Sequence, residues 1–125
     1  MRGFTLDAGA LIALERRDER VNALLSSALA ENAVIHIPAG VLAQAFRSGP
    51  RQARMARLLR QAQTRVVALD EQTACVTGML LGLRGVSDVI DASVVVCARR
   101  YRQAVVTSDP EDLRRLDPDL PLEII

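Results

Sequence analysis

A chain of 125 residues is long enough for one domain with a real apolar core. Half of it is hydrophobic and 25% is charged, as in an ordinary soluble globular protein. The net charge of +1 supplies no global attraction to nucleic acid, and 2% aromatic residues argue against a base-stacking platform for single strands.

Taken in chain order, GFTLD reads as a short strand ending at Asp7, and AGALIALERR follows with apolar residues at helical spacing. A second amphipathic helix is predicted from about Asp18 to Asn32, with Val21, Leu24, Leu25, Ala28 and Leu29 on one side. AVIHIP reads as a buried strand stopped by Pro38, and Ala39 to Phe46 as a helix broken by Ser48–Gly49–Pro50. The spacing then predicts a continuous helix over Arg51 to Gln63 and a third strand at RVVAL. Glu71 to Leu83 reads as a helix whose end is bracketed by Gly82 and Gly85, and Asp88 to Arg100 as a buried, central one. AVVTS is the fourth strand, Pro110 to Leu116 a short helix with proline at its favoured first position, and LPLEII a final edge strand. Strands alternating with helices imply an α/β domain, 1–125, whose central parallel sheet of four to five strands is covered on both faces.

All 16 basic residues are arginine, which coding bias in a GC-rich genome explains, although some could grip phosphate bidentately. Cys75 and Cys97 lie inside apolar helical patterns and read as small buried hydrophobes in a reducing compartment. There is no CxxC, and His36 has no Cys or His neighbour in sequence, which argues against structural zinc. No apolar run suits a signal peptide or a membrane span, so the expectation is a cytoplasmic protein with no membrane partner.

Three aspartates sit where predicted strands and helices meet: Asp7 in FTLDAGALIAL, Asp91 in SDVIDASVVVCAR and Asp109 in AVVTSDPEDL. Each has a structural explanation. Asp7 could cap the helix starting at Ala8. Asp88 could cap the next with Asp91 at N3, and Asp109 could cap the last with Asp112 closing a capping box. Ligands in open α/β sheets bind outside the carboxyl ends of the strands. Carboxylates gathered there could hold a hard, oxygen-seeking cation such as Mg²⁺. Capping requires no clustering of the acids; metal binding does.

At FTLDAGALIAL, PAGVLAQAFRSGPRQARMARLL, DVIDASVVVCARR and AVVTSDPEDLRRL the chain resembles PIN-domain ribonucleases of the VapC toxin type over nearly its whole length. The resemblance implies a compact three-layer α/β/α sandwich and RNA cleavage dependent on Mg²⁺ or Mn²⁺. It places the metal-holding carboxylates on Asp7, Asp91 and Asp109. Asp88 and Asp112 become outer-shell or alternative ligands, and Thr107 and Ser108 supply hydroxyls that could orient a carboxylate or a water. It also implies a cognate antitoxin of a type II toxin–antitoxin pair and a homodimer. The chain departs from the family at Gln44, where a glutamate is usual. An amide keeps a carbonyl oxygen but loses a charge. At ~4 Å and an effective dielectric of about 20 that charge is nominally worth ~4 kcal/mol, less the repulsion it would have added. Weaker metal binding and slower chemistry are expected.

Arg51, Arg54, Arg57 and Arg60 recur every third residue and predict a basic ridge on one helix: a solvated face, or a contact for RNA phosphate or an acidic antitoxin segment. Arg47, one turn past Gln44, is placed to meet phosphate. Arg99, Arg100 and Arg102 cluster at a helix end, where the dipole explains them. The alternative to an active ribonuclease toxin is an impaired PIN-like protein that acts by binding RNA or its antitoxin. A phosphoacceptor receiver domain would want a late lysine and paired acids at the first strand, and a DxD phosphatase a second acid near Asp7; none is present.

Overall fold

The computed structural model describes residues 2–125. Five strands form one all-parallel sheet: β1 (Phe4–Leu6), β2 (Ile35–Pro38), β3 (Thr64–Val67), β4 (Ala104–Thr107) and β5 (Leu122–Ile124), in the order β3-β2-β1-β4-β5. Phe4 lies opposite Ile35 on one side and Ala104 on the other, which fixes β1 at the centre. The three inner strands are buried almost throughout, as strands covered on both faces must be, whereas β3 and β5 at the edges are half exposed.

Seven α-helices cover the sheet: α1 (Ala8–Glu15), α2 (Glu19–Ala30), α3 (Ala39–Ala45), α4 (Ala53–Leu59), α5 (Glu71–Arg84), α6 (Val89–Tyr101) and α7 (Pro110–Leu116). From β1 the chain steps outward through β2 to β3, then returns past β1 to β4. Right-handed crossovers therefore place α1 to α4 on one face and α5 to α7 on the other. Accordingly α1 packs on α2, α3 and α4, and α6 packs on α5 and α7. The core runs through both layers, from Leu11, Val21 and Val41 across Leu6, Ile35, Ile37 and Val105 to Val94 and Val95. As the sequence predicts, α6 is the buried central helix, with Ala92 through Val95, Cys97 and Ala98 all inaccessible.

Two expectations fail. The continuous helix over Arg51 to Gln63 is broken into a 3₁₀ turn at Pro50–Gln52 and the seven-residue α4, which ends at the Arg60 cap. The chain must leave the helix early because Gln63 already accepts from the Ile35 amide and Thr64 pairs beside Ile35 in the sheet. Arg51 therefore lies off the α-helix that carries Arg54 and Arg57, and the basic ridge is interrupted. The other failure is Cys75, which is exposed on the outer side of α5; only Cys97 is buried. Gly85, with φ +64°, terminates α5 in the left-handed conformation expected of a helix C-cap, while Gly82 stays inside the helix.

Candidate active site

The strand order reverses beside β1, so the crevice past the ends of β1 and β4 is the topological switch point of the sheet. Asp7 follows β1 directly, and Ser108 and Asp109 follow β4. Helix α6 runs back toward the opposite end of β4, which brings its N-terminus, with Asp88 and Asp91, to the same end of the sheet.

Asp7 and Asp88 are helix caps. Asp7 accepts from the Ala10 amide at 2.9 Å, and Asp88 from the Asp91 amide at 2.9 Å. Asp109 stands at the start of α7 but makes no side-chain cap, contrary to the capping-box expectation. The neighbouring Asp112 carboxyl is the main cause of its raised pKa. Asp91 has no capping duty either. Its pKa is pushed up to about 6, first by burial and then by the negative charges of Asp88, Asp112, Asp7 and Asp109. Asp7, only 9% exposed, is also raised by burial, against hydrogen bonds from Thr107 and the backbone.

Five carboxylates thus share one electrostatic neighbourhood. Thr107 ties two arms of it together: its hydroxyl donates to Asp7 and accepts from the Asp109 amide at 2.9 Å. Gly9 closes the other side, where a Cβ would lie 2.4 Å from the Ser108 hydroxyl and 3.4 Å from Asp7 Oδ1. Gly9 was not singled out by sequence; its place two residues after Asp7, in the first turn of α1, was the available signal. Among the described residues, Arg115 is the cation set against the cluster, pairing with Asp112 at 3.3 Å. An all-oxygen, mutually repelling donor set fits a hard divalent cation. As the side chains stand, no three acidic, histidine or cysteine side chains among the described residues are gathered tightly enough to close around an ion, so occupancy would require the acids to be drawn inward.

Gln44 is exposed on α3, one turn beyond Gly40, where a Cβ would lie 3.4 Å from the side chain of Ile90, the neighbour of Asp91. It lies on the flank of the crevice and adds no charge. Arg47 is turned away into its own helix end, where its guanidinium donates to the Ala43 and Phe46 carbonyls at 3.1 and 2.8 Å. Arg54 and Arg57 line a groove of about 350 Å³ between α2 and α4, floored by Leu14, Leu25, Leu29 and Leu58. Among the more distant arginines, Arg99 pairs with Asp117 at 2.9 Å, Arg100 lies over the Tyr101 ring, and Arg102 is the left-handed cap of α6.

His36 is a core residue of β2, stacked on Tyr101 with ring centroids 3.7 Å apart. Its Nδ1 donates to Gln103 Oε1 at 3.0 Å, an oxygen that also accepts from the Thr5 hydroxyl at 2.9 Å. Burial lowers its pKa. The buried Gln103, which also bonds the Arg2 and Val34 carbonyls, was invisible to sequence patterning.

No known protein-family profile matches the chain, and no curated protein sequence does. Solved structures do match along its length. A chain of VapBC2 from Rickettsia felis, crystallised bound to a DNA fragment from the promoter, shares 20% identity at a TM-score of 0.70, covering 97% of each chain. A chain of DNA-bound VapBC from Salmonella typhimurium shares 18% at 0.68, over 99% of this chain and 98% of that one. A chain of FitAcB from Neisseria gonorrhoeae shares 20% at 0.63, over 95% of each. The resemblance read from the motifs is thereby borne out at the level of fold: this is a PIN-like α/β/α sandwich. Among the described residues no helix is long and apolar enough to cross a membrane.

Proposed function

We propose that this chain is a metal-dependent endoribonuclease toxin of the VapC type, held in check by a cognate antitoxin and active as a homodimer. The observation that carries the reading is the position of Asp91 and Asp109. Neither carboxylate caps a helix, both are raised by their acidic surroundings, and both stand at the switch point beside Asp7. Perturbed carboxylates in a crevice, kept at a cost to the fold, mark a functional site. The resemblance to VapC-type proteins at the same residues and the full-length likeness to VapBC and FitAB structures support it.

Asp7, Asp91 and Asp109 would hold Mg²⁺ or Mn²⁺, with Asp88 and Asp112 in reach as outer ligands. The cation supplies Lewis-acid polarisation of a phosphoryl oxygen and makes a coordinated water more acidic. Thr107 orients the Asp7 carboxylate, and the Ser108 hydroxyl, exposed beside Gly9, is available to a water or a phosphate oxygen. His36 has no part in proton transfer, since its imidazole is committed to Gln103 inside the sheet. The apolar groove rimmed by Arg54 and Arg57 suits an acidic amphipathic segment of the antitoxin better than RNA, because a leucine floor does nothing for phosphate. A second reading, an impaired nuclease that acts by binding, is favoured by the uncharged Gln44. Cleavage of mixed RNAs by the purified chain with Mg²⁺ or Mn²⁺, against EDTA and Asp91→Asn controls, tests the proposal. EDTA-sensitive cleavage lost in Asp91→Asn supports it; cleavage indifferent to both would sink it.

A further inference from the structure

The crevice has a charge problem as a site for RNA. Asp91 stands in the field of Asp7, Asp88, Asp109 and Asp112, and every one of these carboxylates repels a phosphate. A divalent cation offsets only part of that charge, so a phosphate entering the site needs a second positive group facing it. Several arginines are committed elsewhere. Arg47 donates into its own helix end, Arg99 pairs with Asp117, and Arg54 and Arg57 line the groove between α2 and α4. Arg115 is placed differently. It stands one turn past Asp112 on α7, its Nη1 is 3.3 Å from Asp112 Oδ1, and its charge also acts on Asp109. Its side chain is 70% exposed, and so exposed a pair is held weakly. The pair beside it on the same helix, Arg114 with Glu111, is shorter at 2.7 Å.

We propose that Arg115 holds the substrate phosphate at the crevice, exchanging Asp112 for phosphate oxygens when the acids are engaged by a divalent cation. The exchange follows from charge and shape. An Asp112 carboxylate drawn toward a cation has less negative charge to offer Arg115. A guanidinium released from a carboxylate finds in phosphate the same paired oxygens, which it can meet with two parallel N–H groups. Without a divalent cation Arg115 does the opposite, easing the repulsion among the acids and competing with any ion that would replace it. Arg114 supplies an internal comparison, since it has the same charge, the same helix and the same spacing from its acid. The inference rests on the ribonuclease reading and adds to it a residue that touches the substrate.

The test measures binding, so that slow cleavage does not obscure it. In an Asp91→Asn background, the affinity for a fluorescently labelled single-stranded RNA is followed by anisotropy with Mn²⁺ present. Arg115→Ala should weaken binding by roughly tenfold, as for a lost charge-assisted hydrogen bond. It should also lower the slope of log affinity against log salt by about one. Arg115→Lys should keep the salt slope while losing part of the affinity. Arg114→Ala should change the affinity by no more than about twofold, because an exposed charge outside the contact is screened. In the otherwise unaltered chain without RNA, Arg115→Ala should bind Mn²⁺ several-fold more tightly by calorimetry, which a merely structural helix pair would not produce. RNA affinity and salt slope unchanged in Arg115→Ala overturn the proposal, as does an equal loss in Arg114→Ala or an unaltered Mn²⁺ affinity. RNA bound alike by all the variants removes Arg115 alone, whereas a background protein that binds no RNA removes the ribonuclease reading with it.

Discussion

The hydroxyl of Thr107 donates to the Asp7 carboxylate while accepting from the Asp109 amide at 2.9 Å, so one buried side chain sets the spacing between two arms of the acidic crevice. Thr107→Val keeps the shape and removes both bonds. A lost buried hydrogen bond costs roughly 1–3 kcal/mol, so a fall in melting temperature is expected in both metal-free and metal-loaded protein. Divalent-ion affinity, measured calorimetrically, should fall by about tenfold, the equivalent of ~1.4 kcal/mol. Thr107→Ser should restore most of the affinity, and failure of that rescue would count against a positioning role.

Asp91 couples the site to stability through pH. Its folded pKa of about 6 lies above the ordinary aspartate value of 3.8. Between those values an unfolded chain has released the proton and the folded one retains it, so stability present in full below the lower value is lost as pH rises through the upper one. Metal-free protein should therefore melt higher at mildly acid pH than at neutral pH. Asp91→Asn should raise the neutral-pH melting temperature of the metal-free protein while reducing cleavage by at least ~100-fold, the order of a lost charge-stabilising group. A destabilised Asp91→Asn protein at neutral pH would show that the carboxylate is structural.

Gln44→Glu adds a carboxylate at the flank of the crevice. Cleavage should rise by roughly tenfold, about 1.4 kcal/mol of barrier, with tighter Mn²⁺ binding and a lower metal-free melting temperature from added repulsion. An unchanged rate with tighter metal binding would point to the binding reading instead of a weakened enzyme.

Gly9 is the fourth test. The Cβ of Gly9→Ala would stand 2.4 Å from the Ser108 hydroxyl, which is exposed and free to rotate away. The melting temperature should change little, within the ~0.5 kcal/mol typical of surface substitutions, while cleavage drops because Ser108 and Asp7 are displaced. The same substitution in a Ser108→Ala background should add almost nothing. Full additivity of the two in a double-mutant cycle would show that they act apart.

Much of the fold was legible because its signals are local. Short apolar strands ended by Asp7, Pro38 and Thr107, helices with 3.6-residue periodicity, and the proline opening α7 all declare themselves within a few residues. The break at Pro50–Gln52 was written in Ser48–Gly49–Pro50, but the early end of α4 was not, since it follows from pairing β3 with β2. The exposure of Cys75 was equally hidden: an apolar residue in an apolar helix reads as buried, and only the positions of α6 and the sheet show that the outer side of α5 has nothing against it.

By itself the sequence determined the order of strands and helices and most of their bounds, and that acids stand near three of their junctions, because propensity, capping and periodicity act over one or two turns of chain. The tertiary structure alone decided that the order reverses beside β1. That reversal brings Asp7, Asp91 and Asp109 into one electrostatic neighbourhood. The reason is range: a carboxylate's pKa and partners depend on groups a hundred residues away in sequence, and those are specified only once the sheet has chosen its order.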